Sequence, residues 1–427
     1  MTVLVIGATG FLGAALAARL LDRGHDVAGL ARGGKPPPGV DPMHHADIAS
    51  FVRAADWGPY LEGVTAVVNC AGVLQDGPDD SALGVHATGV AALFTACEER
   101  DIRRVIHISA IGVDRAQPSA FSATKLAGDN ALMGRDLDWV ILRPSVILGP
   151  GAQGSGGLIR GLSALPVLPV MPDTAPVQPV QLDDVLDTIL HFLDPGAPSQ
   201  LALDLAGPDP LPFETVVAIY RRWLGWPRAR DWRVPPWLAR LLWRAGDAAA
   251  RLGWRPALRS AAAAEMTRGA MGDPRPWADH LGRAPRSVVG GLRGRPATVQ
   301  DRWYAALYLQ KAVVFTVLPL FWIATALVSL TVGFRVGHDY LLAGGLGWLS
   351  GPAVVGGALP DLLIGIGILW RPWARAALWA GIALAVFYTV AGTLVLPVLW
   401  IDPIGPMLKI WPVIVLHGLA LAILPGR

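Results

Sequence analysis

Val3-Leu4-Val5-Ile6-Gly7-Ala8-Thr9-Gly10-Phe11-Leu12-Gly13 is the stretch on which the fold of this chain turns. Four apolar residues, three of them β-branched, have the composition of a parallel strand buried on both faces. They feed a loop whose glycines stand three apart. Gly7 can make the tight turn, Gly10 lets backbone N–H groups approach a pyrophosphate, and Gly13 lets the following helix pack closely on the strand. That helix, about Phe11 to Arg23, directs its N-terminus and the positive end of its dipole at the phosphates. A glycine triplet alone is a weak signal. Here strand, loop and helix follow in the required order and a second strand, Val27 to Ala31, comes directly behind. The stretch therefore predicts a dinucleotide-binding α/β domain in which Gly7, Thr9, Gly10, Phe11, Leu12 and Gly13 line the cofactor.

The rest of the chain changes character along its length. Its 427 residues allow two or three domains. Residues 1–205 read as an α/β domain, 206–300 as a basic, Trp- and Pro-rich subdomain, and 301–427 as apolar helices. The two cysteines, Cys70 and Cys97, fall in predicted buried elements, which argues for a reducing compartment and against a disulfide framework. A core strand at the start leaves no room for a cleavable leader, so the nucleotide domain is expected in the cytoplasm. Between Arg221 and Lys311 basic residues outnumber acidic ones roughly three to one. Basic residues just ahead of apolar spans fit the positive-inside rule and anionic lipid, and no nucleic-acid partner is expected. No metal site is expected either.

The cofactor type is read from the end of the second strand. NAD-preferring folds usually carry an acid there for the ribose 2′-hydroxyl, whereas this chain has Arg32, which suits a 2′-phosphate and predicts NADP(H) over NAD(H). The alternative is an arginine that only snorkels at a strand end. Asp47, in His45-Ala46-Asp47-Ile48, ends the predicted third strand where such domains often touch adenine, and Ile48 beside it is a cofactor contact too. The fourth strand, Ala66 to Asn69, leads into Cys70-Ala71-Gly72, small residues past which a cofactor can lie close to the backbone.

With Ser109 after the fifth strand (Arg104 to Ile108), Lys125 on the next helix, Leu142-Arg143-Pro144-Ser145, Gly149-Pro150, Gln178-Pro179-Val180 and Asp183-Asp184-Val185, the first half of the chain resembles the short-chain dehydrogenase/reductase superfamily in its extended and atypical branches. Its nearest likeness there is to the nucleotide-binding accessory subunit of respiratory NADH:quinone oxidoreductase. The resemblance implies a Rossmann-like, doubly wound parallel sheet with a small substrate-side subdomain. It also implies a cofactor contact at Pro144 and a ribose-holding role for Lys125. One departure is chemical. The superfamily's Tyr-x-x-x-Lys helix reads Phe121-Ser122-Ala123-Thr124-Lys125 here, and a phenyl ring cannot transfer a proton. Ser109 could still bond a substrate carbonyl or the nicotinamide amide. His86, where extended members often have asparagine, is either a replacement acid or an imidazole that merely packs on a helix. Ser109, Lys125 and His86 are thus the catalytic candidates. The Pro-rich run Leu165 to Pro172 either lines a pocket or forms a solvent-facing loop.

In the last part, Pro235 to Arg255 reads as an amphipathic helix with Trp237, Leu241, Ala245, Ala248 and Leu252 on one face and Arg240, Arg244, Asp247, Arg251 and Arg255 on the other. Such a helix lies in a membrane interface or packs on the soluble domain. Four apolar segments follow, Ala312 to Val332, Ala353 to Trp370, Ala374 to Val395 and Met407 to Leu424, each near the roughly 20 residues a span requires. Arg302, Lys311, Arg371, Arg375 and Arg427 place both termini inside. Asp361 is costly within a span and marks a partner, a polar cavity or a neutral acid. This part resembles DoxX-like four-helix membrane domains, some of which take part in quinone-linked oxidation. Together the resemblances imply a multi-pass protein of the bacterial cytoplasmic (inner) membrane, in contact with lipid. Its function would be that of an NAD(P)H-binding oxidoreductase passing hydride to a quinone or other hydrophobic acceptor. The alternative is a non-catalytic NADPH-binding scaffold or redox sensor beside a membrane-protein partner.

Overall fold

A computed structural model describes residues 1–74, 76–77, 80–116, 118–151 and 154–424; Arg427 lies outside the described residues. The chain forms two compact units, one of residues 1–247 and 256–305, the other of residues 248–255 and 306–427. The first opens with β1 (Thr2–Ile6), α1 (Phe11–Asp22), β2 (Asp26–Ala31), β3 (Met43–His45), α2 (Ala54–Trp57), β4 (Ala66–Asn69), α3 (Gly89–Glu99), β5 (Arg104–Ile108), α4 (Ala120–Met133) and β6 (Asp138–Pro144). It continues with β7 (Ile147–Leu148), α5 (Gly154–Ser163), β8 (Val167–Val170), β9 (Val180–Gln181), α6 (Leu182–Leu193), β10 (Leu201–Leu205), α7 (Phe213–Trp223), β11 (Arg230–Arg233) and α8 (Pro236–Arg251).

Seven strands make one parallel sheet in the order β10-β6-β5-β4-β1-β2-β3. β1 pairs with β2 on one side (Val3 against Val27) and with β4 on the other (Val3 against Ala66), so the winding direction reverses beside β1. Ligands of such sheets bind at the carboxyl ends of the strands at that reversal. Both faces are covered, which is why β1 and β4 read as unbroken apolar runs. Leu16, Leu20, Val185, Ile189 and Phe192 from α1 and α6 fill one side, and Leu93, Phe94, Leu132 and Trp57 the other. Apart from the sheet, β8 pairs with β11 in parallel; the Pro-rich run therefore contributes a short strand. A cavity of about 130 Å³ lies instead among Pro179, Pro208, Leu211, Ile219 and Val288.

On α8 the stripe Trp237, Leu241, Ala245, Ala248 and Leu252 is exposed along its whole length, while Ala239 and Ala250 turn inward. Three short helices, α9 (Ser260–Arg268), α10 (Arg275–Leu281) and α11 (Val288–Arg293), complete the first unit.

The second unit is helical: α12 (Val299–Leu330), whose first turns count with the first unit, α13 (Phe334–Ala343), α14 (Ser350–Leu369), α15 (Ala374–Val395) and α16 (Pro406–Ile423). Among the described residues four helices are long and apolar enough to cross a membrane. Most of their apolar surface, Leu320, Leu363, Phe387 and Leu419 among it, is not covered by protein, as expected of helices solvated by lipid. The helix that carries the first span starts at Val299, ahead of the apolar run from Ala312, and α13 is a helix between the first and second spans. Trp254 donates to the Leu369 carbonyl at 2.7 Å, and Arg371 N–H to the Leu252 carbonyl at 2.9 Å, which fixes residues 252–254 to the end of α14. His417 uses both ring nitrogens: Nε2 accepts from Trp322 (2.9 Å) and Nδ1 donates to the Val413 carbonyl (2.8 Å).

Candidate functional site

The crevice at the carboxyl end of β1 is built by its glycines. Gly7 has φ +81°, and a Cβ on it would press on Ala71 N at 3.1 Å; a Cβ on Gly13 would collide with the Gly7 carbonyl. Helix α1 starts from Gly10, whose extended backbone brings no side-chain cap. The N–H groups of Phe11, Leu12 and Gly13 consequently have no partner among the described residues, and an anion is the natural acceptor. Thr9 Oγ1 donates to the Gly33 carbonyl at 2.8 Å and ties the loop to the end of β2. A cradle that only glycine backbone leaves open, beneath an uncapped helix, fits a dinucleotide pyrophosphate.

At the adenosine end the structure adds a residue that sequence reasoning missed. Arg32 follows β2 as expected, but Asp80, brought in by the segment after β4, pairs with it at 2.5 Å. The expectation that no acid stands there is thereby corrected. Asp47 lies two residues past β3 and caps a short turn, accepting from Ala49 N–H at 3.1 Å. Ile48 packs its side chain into the core, so only its backbone can face a ligand.

At the other end, Cys70, Ala71 and Gly72 leave β4 beside the Gly7 loop, Ser109 leaves β5, and Pro144 ends β6. Lys125 comes up from α4 and donates to the Ile108 carbonyl at 2.9 Å and to Ala71 at 3.4 Å. Burial lowers its pKa to about 8, against the pull of Asp129 and Cys70. Burial pushes the Cys70 thiol up to about 12, which removes it as a nucleophile.

His86 is not available as an acid. Its Nε2 accepts the Val73 backbone N–H at 3.0 Å, so the ring proton is on Nδ1, which meets Thr124 Oγ1 at 3.0 Å; that hydroxyl donates on to the Phe121 carbonyl. The ring is wholly buried and its pKa falls to about 2, chiefly through burial. His86 therefore holds α4 to the crevice wall, with Phe121 edge-on to it at 5.5 Å. Ser109 does not offer its hydroxyl to the crevice in this conformation, because Oγ is fully buried.

Behind these residues lies a second set that sequence reasoning did not assemble. Asp129, one helical turn after Lys125, accepts from Arg143 Nε at 3.0 Å, and Arg143 also bonds Asp114 at 2.6 Å. His107 faces Asp129 at 3.6 Å and receives Asn69 Nδ2 at 3.0 Å. Burial raises the Asp129 pKa, while Ser109, Arg143 and Lys125 pull it back. The signal was the i, i+4 spacing of Lys125 and Asp129, which places both on one helix face.

The NAD(P)H-binding family matches residues 7–160, and a DoxX-like family matches residues 319–418. Among curated proteins, the sterol demethylase protein B of Methylococcus capsulatus is 27% identical over 175 residues, covering 35% of this chain and 52% of that one. The ceramide reductase of Caulobacter vibrioides is 27% identical over 176 residues, covering 39% and 52%. The chain thus spans about half the length of these relatives. Among solved structures, WbmG of Bordetella bronchiseptica in complex with NAD superposes with a TM-score of 0.53 at 17% identity, over 69% of this chain and 93% of that one. UDP-glucuronic acid 4-epimerase from Bacillus cereus in complex with NAD gives 0.53 at 18% identity, over 72% and 100%. The chain therefore carries an N-terminal NAD(P)H-binding domain and a C-terminal DoxX-like domain.

Proposed function

We propose that this protein is a membrane-anchored NAD(P)H-dependent oxidoreductase that moves hydride between the nicotinamide and a hydrophobic carbonyl or quinone. The observation that carries the reading is the glycine cradle under the uncapped α1, in one chain with four apolar helices. The names of the two curated relatives, a sterol demethylase protein and a ceramide reductase, both point to lipid substrates. When bound, the nicotinamide would supply or accept the hydride. The chain's part is to hold the pyrophosphate on the N–H groups of residues 11–13, to place the ribose against Lys125, and to keep water out with Phe121. Phe121 provides no proton, and His86 is committed elsewhere.

NADP(H) remains the preferred cofactor in this reading, with Arg32 turning from Asp80 to the 2′-phosphate. The spans sit in a bacterial inner membrane with both termini and the nucleotide domain on the cytoplasmic side, Arg371 and Arg375 marking that face. The exposed apolar stripe of α8, flanked by Arg240, Arg244 and Arg251, lies in the headgroup region.

A second reading, a nucleotide-binding scaffold beside a membrane partner, is favoured by one feature. Ser109 Oγ and His86 are buried, and Lys125 already bonds two carbonyls. Mass spectrometry of small molecules copurifying with the full chain in detergent separates the two. The oxidoreductase reading expects NADP(H) that changes redox state when the copurified lipid ketone or quinone is added back. Nucleotide retained unchanged with every acceptor would favour the scaffold.

A further inference from the structure

Arg371 and Arg375 lie four residues apart across the turn that joins α14 to α15, and among the described residues neither is paired with a carboxylate. The Arg371 side chain is held on two sides. Its Nη2 donates to the Leu424 carbonyl at 3.0 Å, just past α16, and its guanidinium lies over the Trp254 ring, 5.5 Å from the centroid. Trp254 is itself fixed, because its indole N–H is bonded to Leu369. One of the guanidinium's five donors is thereby used. None of its nitrogens is among the buried atoms that lack a partner, so the remaining donors reach the surface. A guanidinium fixed in this way keeps a planar fork ready for two oxygens of a phosphate, with little side-chain freedom left to lose.

The electrostatics of this spot have one sign. Burial holds the Arg371 pKa below the usual arginine value, and Arg375 and Arg255 push it the same way, with no carboxylate among the described residues acting against them. Cations gathered in this way repel one another, and an incoming anion relieves the repulsion. The aromatic residues give the level. Trp370 and Trp373 flank Arg371, stack with centroids 5.4 Å apart and are 49% and 63% exposed. Tryptophans collect where hydrocarbon gives way to lipid headgroups, and these two stand between the ends of two apolar helices, Gly347–Leu369 and Ala374–Val395. Residues 248–255 and 306–427 belong to one unit, so that unit alone brings these groups together.

We propose that Arg371 and Arg375, with Arg255 beside them, bind the phosphate of an anionic glycerophospholipid at the cytoplasmic end of the spans. Arg371 takes two phosphate oxygens on its open edge, Arg375 and Arg255 add charge, and Trp370 and Trp373 lie against the glycerol and the upper acyl chains. A zwitterionic lipid carries the same phosphate, but its ammonium group meets the same cations and is repelled. The site rests on the membrane-anchored half of the reading above and on none of its redox chemistry: selective lipid retention by a chain that turns over no NADPH would still support it.

The test is native mass spectrometry of the full chain released from detergent, titrated with phosphatidylglycerol or with phosphatidylcholine of the same acyl chains. The expected result is one phosphatidylglycerol held several-fold more tightly than phosphatidylcholine. Arg371→Gln and Arg375→Gln should each weaken it about fivefold, the worth of one basic residue beside an anionic leaflet, and leave phosphatidylcholine unmoved. Arg335→Gln removes the same charge from an exposed position on α13, between the first and second spans, and should leave the preference intact. Should Arg371→Gln fail to fold, Arg375→Gln decides, because that side chain is exposed. Equal retention of the two lipids by the wild type, a preference that Arg375→Gln leaves unchanged, or an equal loss in Arg335→Gln would overturn the proposal. So would displacement of the lipid by millimolar inorganic phosphate, which would make this a site for free phosphate.

Discussion

Asp129 in the nucleotide unit and Asp361 in the apolar unit are both almost fully buried carboxyls on helices, and the two units treat them differently. Asp129 is met by Arg143 at 3.0 Å, with Lys125 one helical turn away and His107 opposite. Asp361 meets no cation among the described residues, only Tyr388, whose oxygen lies 2.8 Å from Asp361 Oδ1 and 2.8 Å from the Gly357 carbonyl. The phenol donates to Asp361 Oδ1 and lies within reach of the Gly357 carbonyl. A globular core can bury a carboxyl beside cations; a helix in lipid has few such partners, and here a neutral phenol meets the acid instead.

The same substitution in both places tests that contrast. Asp129→Asn leaves Arg143 with Asp114 as its one remaining ion-pair partner among the described residues, and the loss of one partner of a buried pair costs about 3–5 kcal/mol. Asp361→Asn breaks no ion pair among the described residues and keeps an acceptor for Tyr388, and its unfolding free energy should stay within about 1 kcal/mol of wild type, the scale of single polar contacts between membrane helices. Denaturant unfolding of the full chain in detergent measures both, and equal losses would break the comparison.

Lys125 sharpens it through pH. Burial lowers its pKa in the folded state to about 8, whereas an unfolded lysine holds its proton to about 10.4. Between those values the unfolded chain binds more protons, so this residue's contribution to stability rises with pH there and is flat below. Lys125→Met should lack that slope in thermal melts across the alkaline range. A smaller effect is expected at the crevice mouth. Asp80 occupies the Arg32 guanidinium that a 2′-phosphate would take, and Asp80→Asn should tighten NADPH relative to NADH by up to about fivefold, the worth of a partly exposed ion pair. An unchanged ratio by nucleotide titration would remove Arg32 from the account of cofactor choice.

Legibility in the sequence follows the same division. β4, β5 and the third span lie where the apolar runs placed them, because a parallel strand or a lipid-facing helix must be apolar without interruption. The glycine loop was equally plain, since each glycine answers a local demand of the backbone. What escaped was assembled across the chain: Asp80 reaches Arg32 over 48 residues, and Asp129 meets Arg143 only when β6 lies beside α4. His86 was visible as a candidate but not its use, since the Val73 N–H and Thr124 that occupy its two nitrogens come from separate elements.

The most direct test of the account asks where the proton comes from. NADPH absorbance is followed with the full chain in lipid vesicles, wild type against Phe121→Tyr, on lipid-soluble ketones and on quinones. The account predicts turnover with a lipid-soluble quinone that Phe121→Tyr leaves within a few-fold, because a quinone can take its proton from water, and slow ketone reduction that the restored phenol raises by about 10²–10⁴, the usual worth of a general acid. Brisk ketone reduction by the wild type that the tyrosine does not improve would contradict it.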